Sequence, residues 1–333
     1  PKHLSLEQCS SEITARYKAR LFQGDSLTDL TGGFGIDCSF LATGFKSATY
    51  VERQEELCEI AAHNFPILNL NHINVRNEDG VAYLQTMSPV DCIFLDPARR
   101  NEHGGKTVAI SDCEPNVAEL EALLLSKANR VMIKLSPMLD LSLALKELKH
   151  TQEIHILSVN NECKELLILL RQTSPAEIAI HCVNLLTKGT QEEQHLVFTR
   201  EQEQRSQCTY TDSLGNYLYE PNASLLKAGA FRSIAAAYPV RKLHPNSHLY
   251  ISDSFIENFP GRIFRIVNQC SFNKKEVKEN LADLKKANVT VRNFPATVAE
   301  LRKRLHLTEG GDTYLFASTL NNGQKVIIRC EKV

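Results

Sequence analysis

The chain lacks any long apolar run. Its longest purely apolar stretches, such as 166–170, fall far short of the roughly 20 residues that a membrane-spanning helix needs, so no membrane role is expected. No signal peptide is evident at the start, and the chain opens at Pro1 without an initiator methionine, as a trimmed fragment would. The ten cysteines (9, 38, 58, 92, 113, 163, 182, 208, 270 and 330) include no C-x-x-C pair. Neither a zinc site, nor any other metal, nor a disulfide framework is expected from them. Thiols scattered in this way fit small buried apolar side chains in a reducing cytoplasm. Internal repeats and low-complexity tracts are also missing, and 12 Pro and 15 Gly in 333 residues exclude a collagen-like or largely disordered chain.

What the chain does have is length enough for two or three domains and an uneven distribution of charge. The formal net charge is −1, yet residues 261–333 hold 14 Lys and Arg against 7 Asp and Glu, while residues 1–260 hold 24 against 32. A basic end on an acidic body fits a polyanion-binding module, or equally a solvating lysine surface.

Periodicity organises the chain. Residues 6–22 read as an amphipathic helix, with Ile13, Tyr17 and Leu21 at helical spacing. Short apolar runs follow at 27–30, 48–51, 73–75, 92–95, 131–135 and 154–159, with helical patterns between them at 36–43, 55–68, 81–87, 117–127 and 139–148. That β-α-β-α rhythm predicts a parallel sheet covered by helices on both faces. Near 164–171 the pattern changes, and ELLILLR predicts an antiparallel hairpin with the strand before it. Further strand-like runs lie at 178–186 and 195–199, and the polar stretch 201–216 is the best linker candidate. Beyond it come a helix over 223–237, a strand over 264–271 and a closing β-α-β-β unit (289–291, 297–305, 314–318, 325–329), with Asn321-Asn322-Gly323 supplying hairpin turn chemistry.

The chemistry gathers at strand ends. LTDLTGGFGID (27–37) runs from a strand through a Gly-rich turn into a helix. Glycines there let the backbone approach a ligand, and the free N–H groups of the new helix face an anionic or carboxylate-bearing group; a purely structural turn is the plain alternative. Glu52 ends the second strand, 17 residues after Gly35, where nucleotide-binding folds place a carboxylate for ribose hydroxyls. Asp79 follows the third strand, placed either to reach an adenine amino group or to cap the next helix. In VDCIFLDPARR, Asp96-Pro97 stands just beyond the fourth strand, so a carboxylate is presented at a rigid turn. A hydride-transferring enzyme has no need of that arrangement.

Together, DLTGGFG, Glu52, Asp79 and DPARR resemble the motif series of class I S-adenosylmethionine-dependent methyltransferases, over about residues 27–170. The D-x-T-x-G-x-G form, Asp29 through Gly35, is similar to that of RNA guanine-N2 methyltransferases among others. The whole chain, with its ending TVAELRKRLHLTEGGDTYLFASTL, resembles a bacterial methyltransferase family with a ferredoxin-like segment and a C-terminal THUMP-like domain. The resemblance implies an α/β fold: a Rossmann-like domain over 1–200, its mostly parallel sheet carrying an antiparallel last strand and its N-terminal helix spanning 5–22. A ferredoxin-like segment over 210–260 and a basic THUMP-like domain over 261–333 would follow, both small α+β units. It also implies S-adenosylmethionine as cofactor, with no metal, and RNA, most plausibly tRNA, as partner; the last step is analogy.

Residue by residue, the resemblance implies that Asp29 and the loop Thr31, Gly32, Gly33, Phe34 and Gly35 hold the methionine part of the cofactor. Glu52, with Arg53, would take the ribose, Asp79 and Gly80 the adenine, and Asp96 with Pro97 would sit beside the transferred methyl. Many amino-methylating relatives carry D/N-P-P-aromatic at that place. This chain has Ala98 and Arg99 instead, which weighs against adenine-N6 chemistry. Arg99 and Arg100 are expected as substrate contacts, by stacking or phosphate binding, with a salt-bridged loop as the alternative. Uracil-C5 enzymes with D-P-P-R need a Cys nucleophile after the fifth strand; here KLSPMLD has Ser136, with no Cys within 20 residues on either side. Lys134, Ser136 and Asp140 border the same edge, as substrate contacts or as turn residues.

Lys274, Lys275, Arg302, Lys303 and Arg304 are the expected phosphate contacts of the basic end. TARYK (14–18) reads as a lid or, more plainly, as a packing helix. The expectation is a cytoplasmic methyltransferase acting on RNA at an exocyclic base amine of the guanine-N2 type. The alternatives are a ribosomal RNA or small-molecule methyltransferase, or a non-catalytic RNA-binding protein with a retained cofactor pocket.

Overall fold

The structure is a computed structural model that describes residues 9–99, 109–173, 175–189 and 192–333, with Arg99 described by its backbone alone. It divides into two compact units, Pro1–Thr187 and Lys188–Val333. Among the described residues no helix is long and apolar enough to cross a membrane.

Among the described residues, the earliest element of the first unit is the helix Glu12–Leu21. It starts later than the periodicity predicts: residues 9–11 are not helical, and residues 1–8 lie outside the described residues. The strands are β1 (Gly24–Asp29), β2 (Phe45–Glu52), β3 (Ile73–Asn77) and β4 (Val90–Leu95), followed by the two-residue β5 (Ala98–Arg99) and β6 (Cys113–Glu114). β7 (Ala128–Leu135), β8 (Thr151–Val159), β9 (Glu162–Arg171) and β10 (Ala179–Leu185) complete the unit.

Within it the strands of the main sheet lie in the order β10-β8-β9-β7-β4-β1-β2-β3. All neighbours are parallel except β9, which runs antiparallel to both β7 and β8. β4 and β7 carry apolar runs that are buried (Cys92–Leu95 and Val131–Ile133), as strands covered on both faces must be. Helices Ile36–Leu41, Glu55–Ile67, Gly80–Thr86, Val117–Lys127 and Leu141–Glu147 form the crossovers. The chain proceeds from β1 to β2 and β3 on one side and to β4 and β7 on the other. The order therefore reverses between β1 and β4, which is where open α/β sheets leave a crevice beyond the strand ends.

The second unit holds β11 (Glu193–Thr199), then the polar stretch read as a linker, which begins with a short helix, Arg200–Arg205. Its sheet comprises β12 (Tyr217–Pro221), β13 (Arg241–Lys242), β14 (Tyr250–Ser252), β15 (Gly261–Ser271), β16 (Asn288–Arg292), β17 (Thr313–Thr319) and β18 (Lys325–Lys332), in the order β13-β14-β12-β15-β18-β17-β16. The single helix expected over 223–237 is two, Ala223–Ala228 and Ser233–Ala237, because the first closes on Gly229 in the left-handed conformation (φ 73°). Two helices, Lys274–Leu281 and Val298–Leu305, contribute Val277, Leu281 and Leu305 to one apolar cluster with Cys270, Leu315 and Ile327 of the sheet.

Candidate active site

A cavity of about 830 Å³ opens at that reversal point in the first unit. Asp29 closes β1 and is buried (1% exposed). Its Oδ1 accepts the Thr31 N–H at 3.0 Å, whereas its Oδ2 has no hydrogen-bond partner. Burial pushes its carboxyl up to about 8, helped by Asp37 and Asp96. After Asp29 the chain turns: the Gly32 N–H donates to the Val51 carbonyl at 2.9 Å, and a Cβ at Gly32 would overlap the ring of Tyr50. The Tyr50 hydroxyl in turn donates to the Gly33 carbonyl, so the loop is held close against β2.

Glu52 closes β2. Its Oε2 accepts the Gly33 N–H and its Oε1 the Gln54 N–H, each at 2.9 Å. Asp79 caps the helix Gly80–Thr86, its Oδ1 accepting the Val81 and Ala82 N–H groups at 3.0 Å. It also lines the cavity, so capping and facing a ligand are compatible roles for one carboxylate. A Cβ at Gly80 would overlap the Leu30 carbonyl, and that close approach brings the helix start up to the end of β1.

Beyond β4, the Asp96 N–H donates to the Thr31 hydroxyl at 2.6 Å, which ties this turn to the Gly-rich loop. Pro97 is buried and Ala98 exposed. The Asp96 carboxylate pairs with the Lys134 ammonium at 2.6 Å, and Lys134 stands at the end of β7. Lys134 also reaches Asp37 (3.0 Å) and the Ser10 hydroxyl (3.1 Å). From the N-terminal helix, Lys18 meets the same Asp37 at 3.0 Å, Glu165 of β9 at 2.5 Å and Ser10 at 2.7 Å. Lys18 is 0% exposed.

The result is a network of two ammonium groups and three carboxylates, in which Asp37, Asp96 and Lys134 line the cavity and Lys18 and Glu165 are buried outside its lining. Burial raises the Asp96 carboxyl above its usual range although Lys134 opposes it. For Asp37 burial acts in the same sense, but two lysines outweigh it and hold the carboxyl below its usual value. Burial alone would lower Lys134, yet Asp96, Asp37 and Glu165 keep it charged and above its ordinary value.

Among the expected residues, the cavity gathers Asp29, Thr31, Gly32, Gly33, Phe34, Glu52, Arg53, Asp79, Gly80, Asp96 and Lys134. Gly35 stands just behind its lining as the residue before the helix Ile36–Leu41. Ser136 serves a turn, its Oγ accepting the Met138 N–H at 3.3 Å. The backbone of Arg99 forms β5, paired antiparallel with β6; Arg100 lies outside the described residues. Ser10, Lys18, Asp37 and Glu165 were missed in the sequence. Only Asp37 had a signal there, an acidic residue in the first turn after the Gly-rich loop.

In the second unit, Lys274, Lys275, Lys303 and Arg304 are exposed. The Arg304 guanidinium lies 4.0 Å over the ring of Phe272, two residues before Lys274, which sets the basic end of one helix beside the basic start of the other. Arg302 is instead engaged with Glu309 at 3.1 Å.

A ferredoxin-like domain family matches residues 217–260, and a THUMP domain-like family matches 261–332. The whole structure superposes with a TM-score of 0.90 on the "putative methyltransferase from Porphyromonas gingivalis W83", at 38% identity over 99% of this chain and 83% of that one. The chain belongs to this family. It joins a class I methyltransferase fold to a ferredoxin-like segment and a THUMP-like domain. Two further structures are far less alike: a conserved hypothetical protein from Streptococcus pyogenes (16% identity, 46% of this chain, 88% of that one, TM-score 0.35) and an rRNA methylase from Streptococcus thermophilus (14%, 49%, 97%, TM-score 0.37). Among curated proteins there is no match.

Proposed function

We propose that this methyltransferase uses S-adenosylmethionine to methylate tRNA at an exocyclic base amine of the guanine-N2 type. The observation that carries the reading is the sign of the cavity. Among the described residues, seven acidic side chains line it (Asp29, Asp37, Glu52, Asp79, Asp96, Glu114 and Glu119) against two cations, Arg53 and Lys134, with burial holding a proton on Asp29 up to about pH 8. Such a wall suits a ligand bearing sulfonium and ammonium charges and opposes the pyrophosphate of a dinucleotide.

The residues present fit the cofactor. The Asp29 Oδ2 has no partner; the ammonium group of the methionine part would supply one, and its charge would favour release of the proton that burial holds on this carboxyl. Glu52 retains lone pairs for ribose hydroxyls, and Asp79 stands for the adenine edge. The cofactor supplies an electrophilic methyl group on sulfur with a good leaving thioether. This chain's own part is then mainly positioning. Lys134 holds one oxygen of Asp96, leaving the other to accept a hydrogen bond from the substrate amine and aim its lone pair in line. Pro97 fixes the turn that presents that carboxylate, and Ala98, without a ring, leaves base stacking to Arg99 or Arg100.

The exposed cations Lys274, Lys275, Lys303 and Arg304 are the phosphate contacts of this reading, because clustered cations neutralise phosphates with little sequence preference. The test is transfer of labelled methyl from S-adenosylmethionine into total RNA from cells lacking the protein, separated by size. Label in the tRNA fraction, absent with Asp96→Ala and recovered as N2-methylguanosine after digestion, is the expected result. Label confined to ribosomal RNA would reject tRNA, and no label despite cofactor binding would reject RNA as the substrate.

A further inference from the structure

Two ammonium groups meet in the first unit, Lys18 from the helix Glu12–Leu21 and Lys134 from β7. About Lys18 Nζ stand Glu165 Oε2 at 2.5 Å, Ser10 Oγ at 2.7 Å and Asp37 Oδ1 at 3.0 Å. About Lys134 Nζ stand Asp96 Oδ2 at 2.6 Å, Asp37 Oδ2 at 3.0 Å and Ser10 Oγ at 3.1 Å. An ammonium has three N–H donors, so each lysine faces as many oxygens as it can serve. The Ser10 hydroxyl donates in turn to Asp37 Oδ2 at 2.9 Å, so Ser10 and Asp37 join the two shells.

Separate ion pairs, Lys18 with Glu165 and Lys134 with Asp37, would already give each ammonium a counter-ion. Instead Lys134 is shared between Asp37 and Asp96, and the two carboxylates compete for it. Lys18 relieves that competition. It does more than Lys134 to keep Asp37 charged, and among the carboxylates Asp96 holds Lys134 most strongly. Asp96 is also the member open to a ligand, its side chain 37% exposed against 10% or less for the other four.

We propose that Lys18 and Glu165, neither of which lines the cavity, are positioning residues for methyl transfer. Glu165 holds Lys18 on Asp37, Lys18 holds Asp37 back from Lys134, and Lys134 is left to aim Asp96 at the substrate. This role rests on the reading of Asp96 as the group that orients the substrate amine. Among the described residues, the charged and titratable groups facing Asp96 are Lys134 of β7, Asp37 of the helix Ile36–Leu41, Lys18 of the N-terminal helix, Asp29 of β1 and the Cys9 thiol. Removing Lys18 takes a positive charge from this set and leaves two carboxylates on Lys134, so Asp96 binds a proton more readily. Removing the Glu165 charge gives Lys18 wholly to Asp37, and its effect on Asp96 has the opposite sign.

The test is the pH titration of the Asp96 carboxyl by NMR, on the full chain isotope-labelled at its aspartate carboxyl carbons. The Asp96 signal is the one absent from Asp96→Asn. Lys18→Met should raise its midpoint and Glu165→Gln should lower it, each by at least ~0.5 pH units. The acid limb of the methyl-transfer rate should move in the same two directions, whereas a structural loss alone would lower the rate and leave the limb in place. Midpoints unmoved, or moved the same way in both variants, would overturn the proposal, as would a limb that stays put while the midpoints move. Glu165→Gln keeps the side chain's shape and both ammonium groups, so it decides should Lys18→Met fail to fold. The midpoints are read without substrate, so their failure is distinct from a failure of the parent protein to label RNA.

Discussion

The two units of this protein treat charge in opposite ways. In the first, ammonium and carboxylate groups are mostly taken out of water and tied to one another: Lys18, Lys134, Asp37 and Glu165 are buried, and Lys134 carries the network to Asp96, whose side chain is 37% exposed at the carboxylate-lined cavity. In the second, Lys274, Lys275, Lys303 and Arg304 stay in solvent. The same side-chain chemistry thus does different work. A buried ion has one strongly preferred geometry, because an unpartnered one is expensive. A hydrated ion keeps its freedom, contributes little to stability and remains available to a polyanion.

The comparison can be broken most forcefully at Lys18. Lys18→Met leaves Asp37 and Glu165 short of a buried counter-ion and should cost ~3–5 kcal/mol of stability, read as a lower urea midpoint. A loss below ~1 kcal/mol would mean that water reaches this network and that the contrast between the units is overstated. Next in size is Asp96→Ala, for which methyl transfer should fall ~100-fold or more while calorimetry shows S-adenosylhomocysteine still bound. Transfer at the parent rate would remove Asp96 from the chemistry.

Asp29 tests the sign of the burial effect. Its carboxyl is raised to about 8, so the fold holds a proton that the unfolded chain releases near 3.8. Stability present at low pH is therefore lost as pH rises through about 8, by up to ~1.4 kcal/mol per pH unit. Asp29→Asn should lack that slope, and its melting temperature should gain on the parent between pH 6 and 8; parallel curves would contradict the burial. The smallest effect belongs to the second unit. Replacing Lys274, Lys275 and Arg304 together by Ala should weaken RNA binding ~10-fold and flatten its salt dependence, with stability changed by no more than ~0.5 kcal/mol per site. A large stability loss would show that these cations do structural work.

Much of this was legible in the sequence. The alternation of apolar runs and helical patterns placed β1 to β4 and β7 to β9 and their crossovers, and ELLILLR marked the hairpin of β8 and β9. The carboxylates at the ends of β1, β2 and β4 could be read because their positions follow from local strand-turn-helix geometry. Lys18 could not. A lysine in a polar helix is indistinguishable from a solvent-facing one until Glu165, 147 residues on, is set beside it. The cluster of Glu153, His155 and His181 on β8 and β10 was hidden for the same reason: Glu153 and His155 are close in sequence, but His181 joins them only through strand register.

The Lys18–Glu165 pair also sets a clock on the chain as it is made. At ~5–20 residues per second, a ribosome needs roughly 7–30 s to go from one residue to the other. During that interval the ammonium group has no carboxylate on β9 to receive it, so the N-terminal helix cannot be sealed in place. The helix Glu12–Leu21 is therefore held in its final setting only once β9 has been made.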